Sequence, residues 1–233
     1  MIRWQVDGYE VAFTTRVGGV SEGPYTSLNL GRKSGDEPAR ADENRRIACA
    51  EIGADVAKLA LNFQVHSTRV LRAKPAMRGE HADGLWTDEP GLPILAMSAD
   101  CLPIALVRAN GTNRAVAVLH AGWRGLLAGI VAAGRDALGG GELQAAIGPA
   151  IGPCCYEVGE EVAAPYRERF GDDVVHEGTL DLWTSAERAL RAAGVARILR
   201  FDRCTACEPE TFFSHRRDAG RTGRQGVIAY VAG

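Results

Sequence analysis

The chain has 233 residues, of which 46% are apolar and 24% are charged, as is typical of a globular protein with a sizeable core. A formal net charge of −2 argues against nucleic acid or an acidic membrane surface as a partner. No run of about 18 apolar residues is present, so we expect no membrane span. The first residues lack the apolar stretch of a secretory signal, so we expect a cytoplasmic protein whose six cysteines are thiols, metal ligands or a nucleophile.

Strands and helices alternate along the chain. Short apolar runs predict strands at 10–16, 59–66, 69–73, 93–99, 103–108, 114–120, 143–148, 196–202 and 225–232. Helical spacing predicts helices at 38–53, 123–138, 157–170 and 180–193. Asp36 and Thr179 are candidate helix caps. Because nothing marks an interior boundary, we predict one α/β (α+β) domain over residues 1–233, with a mixed β-sheet core flanked by helices.

Three predicted strands end in residues that can bind a metal. His66 ends the strand "LALNFQVH", Cys101 lies in the bend "MSADCLP", and His120 ends the strand in "AVAVLHAGWRG". Two imidazoles and one thiolate are a zinc ligand set with the fourth position open, and an open position is typical of catalytic zinc, which activates water. The three residues match no compact zinc motif, so the prediction depends on the strands being neighbours.

The same residues allow a second hypothesis, in which Cys101 is a nucleophile activated by His120 without a metal. In that case His66 or Asp100 would orient the imidazole. Asp100, beside Cys101, is a candidate for moving a proton or holding a ligand histidine, and the alternative is a turn aspartate that binds local amides.

Several polar residues are candidates for binding substrate. Arg124 and the first amides of the helix after Gly122 would favour an anion such as phosphate. Arg16 and Asn29 flank a loop rich in hydrogen-bonding groups, although ordinary loop structure would explain them as well. His215 and Arg216, in "FFSHRRDAGRTGRQ", belong either to a pocket or to a solvated basic loop.

The other cysteines form two short motifs, "CC" at 154–155 and "CTAC" at 204–207. Together they could bind zinc through four thiolates or form a redox pair. A single C-x-x-C motif without a matching second one is weak evidence, so ordinary thiols are the favoured interpretation.

Taken together, the motifs resemble a known family. They are "FTTRVGGVSEGPYTSLNLG", "QVHSTRV", "DGLWTDEPGLPILAMSADCLPI", "VLHAGWRG", "AAIGPAIGPCCYEVG" and "CTACEPETFFSHRRDAGRTGRQG". In order, and from about Phe13 to the C-terminus, they look like the laccase-domain (multicopper polyphenol oxidase-like) purine nucleoside phosphorylases, a family that includes the bacterial peptidoglycan editing factors. The resemblance implies a fold similar to that of cytotoxic necrotizing factor and the editing factors.

The resemblance also implies a zinc site at His66, Cys101 and His120. The implied enzyme splits adenosine, inosine, guanosine or methylthioadenosine with phosphate into the base and the sugar 1-phosphate, a transferase reaction, and deaminates adenosine, a hydrolase reaction. The alternative is a Cys–His hydrolase or amidase that acts on UDP-linked muropeptide precursors. The family has also been described as copper-dependent phenol oxidases, but five histidines are too few for several coppers. We expect a monomer.

The expected roles follow from these assignments. Phosphate held by Arg124 and the helix amides, with Arg16 as a further candidate, would attack the ribose C1′. In deamination, water activated at the zinc would attack the purine C6, with Asp100 as the proton carrier.

Overall fold

Two β-sheets lie face to face at the centre of the fold in the computed structural model, which describes residues 1–109 and 113–233. The strands are β1 (Ile2–Val6), β2 (Tyr9–Phe13), β3 (Ala60–Leu61), β4 (Val70–Arg72), β5 (Gly84–Thr87), β6 (Ile94–Ser98), β7 (Leu102–Arg108), β8 (Val116–Ala121), β9 (Leu143–Ile147), β10 (Val175–His176), β11 (Thr179–Leu180), β12 (Arg197–Arg200) and β13 (Gln225–Val231). The helices are α1 (Pro38–Glu51), α2 (Trp123–Ala128), α3 (Ile130–Ala137), α4 (Glu160–Phe170) and α5 (Leu182–Ala192).

Both central sheets contain parallel and antiparallel pairs. One has the order β1-β2-β13-β6-β3, with β3 and β6 parallel. The other has the order β12-β9-β7-β8-β5-β4, with parallel pairs at its two edges. Strands β10 and β11 form a separate hairpin. The predicted mixed α/β fold is confirmed.

Helices cover the outer face of each sheet, so the molecule has four layers. Helix α1 packs its Ala48 and Cys49 against the five-stranded sheet. Helices α2, α3 and α5 pack against the six-stranded sheet, and α4 packs against α2 and α5. No helix in the described part of the chain has the length and apolarity needed to cross a bilayer.

The central strands β7 and β8 are buried on both faces. On β8, Val116 and Val118 face the other sheet, whereas Ala117 and Leu119 face the helices. Successive side chains of a strand point to opposite faces, so a strand covered on both sides is apolar throughout rather than alternating. The continuous apolar run at 114–120 therefore predicted this strand correctly.

Some local predictions were wrong. The strand predicted at 59–66 is reduced to Ala60–Leu61, so His66 lies in a loop, with a positive φ of 60°. The helix predicted at 123–138 is divided at Gly129, whose φ of 103° is left-handed and interrupts the helical path. Strands β1 and β5 and the hairpin of β10 and β11 were not predicted from the sequence.

The predicted caps have other partners. Helix α5 is capped by Asp181 rather than Thr179, because the Asp181 side chain accepts a hydrogen bond from the Thr184 amide at 2.9 Å. Glu37 is the first flanking residue of α1 and makes no side-chain cap. Asp36 instead accepts a hydrogen bond from Ser21 at 2.5 Å.

We expect Phe13→Ala to lower the free energy of unfolding by about 3–5 kcal/mol, because Phe13 is fully buried between the sheets and packs edge-on against Phe201. Urea unfolding of the full chain measures this loss. The control is Val17→Ala, whose side chain is 60% exposed and should change stability by about 0.5 kcal/mol or less. Equal effects of the two changes would contradict the assignment of Phe13 to the core between the sheets.

Candidate functional site

Three side chains with metal-binding atoms meet beside the central strands β7 and β8, at one end of the six-stranded sheet. Cys101 lies in the bend between β6 and β7, and His120 is near the end of β8, paired with Pro103 of the antiparallel neighbour β7. His66 comes from the loop after β3. The ligand atoms of His66, Cys101 and His120 all lie within 4.8 Å of one another, with the Cys101 Sγ 3.8 Å from the His66 Nε2.

Gly122 makes this close approach possible. A Cβ built at this position would lie 2.6 Å from the His66 ring and 3.0 Å from the Cys101 Sγ. Any larger residue would therefore push these groups apart. The glycine that follows the strand in "VLHAGWRG" is required by the site itself, in addition to starting helix α2.

A buried carboxylate, Asp83, connects the loop of His66 to the ring of His120. One of its oxygens accepts a hydrogen bond from the His120 Nδ1 at 2.9 Å. The same carboxylate accepts bonds from the amides of Val65, His66 and Ser67. Burial raises the pKa of Asp83, but the hydrogen bonds from His120 and Ser67 outweigh this effect and keep the pKa well below its ordinary value. Asp83 is therefore ionised at neutral pH.

The bond to Asp83 fixes the orientation of the His120 ring. With Nδ1 held by the carboxylate, Nε2 is the nitrogen left free for a ligand. Sequence reasoning missed Asp83, because Asp-Gly at 83–84 is typical of a turn, whereas Gly84 begins β5. The only local signal of its burial is its apolar neighbours, Ala82 and Leu85.

Cys101 and His120 shift each other's pKa values in opposite directions. Burial raises the pKa of Cys101, but the charge of His120 and hydrogen bonds to both imidazoles lower it to about 6. Burial lowers the pKa of His120, but the charges of Cys101 and Asp83 raise it to about 9. A thiolate is thus available at neutral pH, as metal binding or nucleophilic attack requires.

Asp100 is buried beside Cys101, and both of its oxygens have partners. Thr205 Oγ1 donates to one oxygen at 2.6 Å, and the Arg216 amide donates to the other at 2.7 Å. The carboxylate therefore ties two loops from the C-terminal part of the chain to the site. Its role in moving a proton stays a prediction.

The three candidate ligands line a cavity of about 830 Å³, a volume suited to a small organic ligand. Among the described residues, two carboxylates, Asp42 and Asp100, line it. The arginines and lysines that line it are more numerous, namely Arg32, Lys33, Arg45, Arg78, Arg216 and Arg224. The cavity therefore favours an anionic ligand.

The structure brings some predicted substrate-binding residues to this cavity and not others. His215 and Arg216 line it. Arg16 does not, because its guanidinium donates to the carbonyls of Thr26 and Pro209. Asn29 is fully buried and binds the Arg224 amide. Arg124 lies over the ring of its neighbour Trp123, outside the cavity lining.

Comparison with known proteins identifies the family of this chain. A profile of the family described as "Multi-copper polyphenol oxidoreductase laccase" matches residues 10–232. The chain belongs to this family. The resemblance drawn from the sequence motifs is thereby confirmed.

Two relatives that the chain matches over nearly its whole length are named purine nucleoside phosphorylases. The purine nucleoside phosphorylase YfiH of Escherichia coli is 38% identical, covering 97% of this chain and 96% of the relative. The purine nucleoside phosphorylase YlmD of Geobacillus stearothermophilus is 35% identical over 96% of this chain and 90% of the relative. The crystal structure of a Neisseria meningitidis protein, 34% identical, matches with a TM-score of 0.89 over 100% of this chain and 99% of that one.

We expect Asp83→Asn to weaken Zn²⁺ binding by about 10- to 100-fold, because the residue that orients a ligand histidine commonly contributes this much to metal affinity. Competition with a chromophoric chelator measures the affinity, and urea unfolding reports whether the variant is folded. The matched control is Asp88→Asn, at the other end of β5, where the carboxylate pairs with Arg72 on the surface. Unchanged zinc affinity in a folded Asp83→Asn variant would contradict this role.

Proposed function

We propose that this protein is a zinc-dependent purine nucleoside phosphorylase that also deaminates adenosine at the same site. The observation that carries the proposal is the meeting of His66, Cys101 and His120 on the wall of a cation-lined cavity. Support comes from the relatives named purine nucleoside phosphorylases over nearly the whole chain. Purine nucleosides and phosphate are accordingly the proposed substrates, whereas a cytoplasmic location and a monomeric state stay predictions.

The ligand set fits zinc. Two imidazole nitrogens and one thiolate, held within 4.8 Å of one another, match the donors that zinc prefers. Within the described residues this group contains three ligands, one fewer than a closed tetrahedral site. When bound, zinc would supply Lewis-acid polarisation of an oxygen at the remaining position. A set of coppers would need several further histidines beside these two. Of the other three histidines, His215 lines the cavity, whereas His81 and His176 do not.

The basic residues of the cavity define a site for phosphate. Arg216 is held next to the cluster by a hydrogen bond from its backbone amide to the Asp100 carboxylate. Arg224 lines the same cavity as the three candidate ligands. Burial lowers the pKa of Arg224, and the charges of Cys101 and Asp100 oppose this effect. Arginine pairs with two phosphate oxygens at once. We therefore assign phosphate to Arg216 and Arg224 instead of Arg16 and Arg124.

In the proposed phosphorolysis, a phosphate oxygen forms a bond to the ribose C1′ while the bond from C1′ to the base breaks. The cationic wall holds the nucleophile, and so converts a collision of two solutes into a reaction between positioned groups. His215 lines the same wall and is placed to hydrogen-bond the nucleoside.

A second candidate function rests on the contact between His120 and Asp83. Cys101, His120 and Asp83 follow one another as nucleophile, base and orienting carboxylate, with 2.9 Å between the His120 Nδ1 and the Asp83 Oδ1. Such an arrangement could cleave an amide bond without a metal. Muropeptide precursors, which carry anionic UDP groups, would be substrates compatible with the basic cavity.

We expect Cys101→Ser to lower the rate of phosphate-dependent inosine cleavage by about 10²-fold or more, because the metal site contributes several kcal/mol to transition-state stabilisation. Release of hypoxanthine and ribose 1-phosphate measures the reaction, and metal analysis should show that each chain loses one zinc ion in parallel. The control is Cys49→Ala, in helix α1, whose side chain does not line the cavity. A Cys101→Ser variant with full zinc and full activity would end the proposal.

Chelation distinguishes the two candidate functions. We expect a strong chelator to abolish phosphorolysis and conversion of adenosine to inosine, and added Zn²⁺ to restore both, since both reactions use the same three ligands. Nucleoside assays with and without phosphate separate phosphorolysis from deamination. If chelated protein keeps its activity and loses it only on alkylation of Cys101, the site is that of a cysteine hydrolase.

A further inference from the structure

A second cluster of sulfur atoms lies beyond the ends of the parallel strands β9 and β12. Cys154 and Cys155 belong to the loop after β9, and Cys204 and Cys207 belong to the loop after β12. The four Sγ atoms all lie within 4.8 Å of one another. The Cys207 Sγ is 3.5 Å from that of Cys154 and 3.4 Å from that of Cys155. None of these residues lines the cavity described above.

The backbone brings these two loops together. Strand pairing continues past β9 and β12 through a bridge between Ala150 and Cys204. The Thr205 amide donates to the Ala150 carbonyl at 3.0 Å, and the Ala150 amide donates to the Arg203 carbonyl at 3.2 Å. Because main-chain bonds fix both loops, the proximity of the four thiols does not depend on flexible side chains alone.

One sulfur is placed as an anionic ligand would be. The Gly152 amide donates to the Cys204 Sγ at 3.2 Å. Only glycine allows this approach, because a Cβ at position 152 would lie 2.5 Å from the Trp183 ring.

We propose that Cys154, Cys155, Cys204 and Cys207 bind one zinc ion as a closed four-thiolate site. Sulfurs at about 2.3 Å from a central zinc lie about 3.8 Å apart in a tetrahedron, so small movements of these side chains complete the site. Binding releases the thiol protons to solvent. A cluster of several irons holds its cysteines further apart and does not fit a group this compact. Four protein ligands leave no open position, so the site is structural.

The position of the cluster indicates a role for this zinc in holding the cavity wall. Ile151 and Tyr156, on either side of the Cys154–Cys155 pair, line the cavity. Thr205, between the other two cysteines, donates to Asp100 beside Cys101. The zinc would therefore clamp two loops that form one wall of the cavity, and it would do so without contacting substrate.

Zinc counting tests the proposal independently of any activity. We expect the full chain, loaded with Zn²⁺ and freed of excess ion, to hold two zinc ions, and the Cys154→Ser/Cys207→Ser variant to hold one. His66→Ala/Cys101→Ser should also hold one, whereas the control Cys49→Ala should hold two. Both cluster residues in the first variant are exposed, so the changes should leave the fold intact. A wild-type chain with one zinc that is insensitive to Cys154→Ser/Cys207→Ser would overturn the proposal.

Two measurements on the wild-type chain do not depend on variants. Co²⁺ in place of zinc should give the ligand-field and thiolate charge-transfer absorption of a tetrahedral four-sulfur site, in addition to that of the His66 site. Mass spectrometry of protein prepared without oxygen should show all four cysteines as reduced, alkylatable thiols after zinc is removed. Absence of the four-sulfur spectrum, or a disulfide from Cys207 to Cys154 or Cys155 under these conditions, would contradict the zinc site.

Discussion

The candidate metal centre depends on the burial of one ionised carboxylate. An aspartate in an apolar interior is strongly unfavourable unless its charge is fully hydrogen-bonded. Asp83 satisfies this requirement with the amides at 65–67 and the His120 ring. The same bonds set the path of the loop that carries His66 and the ring orientation of His120. The hydrogen bonds that stabilise the buried charge of Asp83 therefore also position His66 and His120, two of the three candidate ligands.

The apolar packing around strands β7 and β8 positions the third ligand. Both strands are buried between the second sheet and the helices, so their register is fixed by large areas of apolar surface on each face. Cys101 immediately precedes β7, and His120 lies opposite Pro103 in the antiparallel pair. The separation of the thiol and the imidazole therefore follows from strand register.

The sequence predicted those parts of the structure that depend on local pattern. Long apolar runs revealed β7 and β8, and the residues at their ends suggested His120 and Cys101 as partners. Contacts between distant segments were not predictable in this way. Asp83 has the local sequence of a turn, and its burial depends on amides of a loop about 17 residues away. Arg16 and Asn29 are polar loop residues like those of a pocket, yet backbone groups from remote segments occupy their side chains.

The two clusters differ in the number of protein ligands that they offer a metal, and this number decides whether the metal can also bind a substrate. His66, Cys101 and His120 line a cavity, so a metal bound by them would have an open fourth coordination position that a substrate in the cavity can reach. The four cysteines join the loops after the neighbouring strands β9 and β12, do not line the cavity, and would fill every position around a tetrahedral ion. Thr205 lies between Cys204 and Cys207 and binds Asp100, the neighbour of Cys101. A rigid cysteine cluster would thus limit the movement of the cavity wall, and catalysis that depends on positioned phosphate benefits from such rigidity.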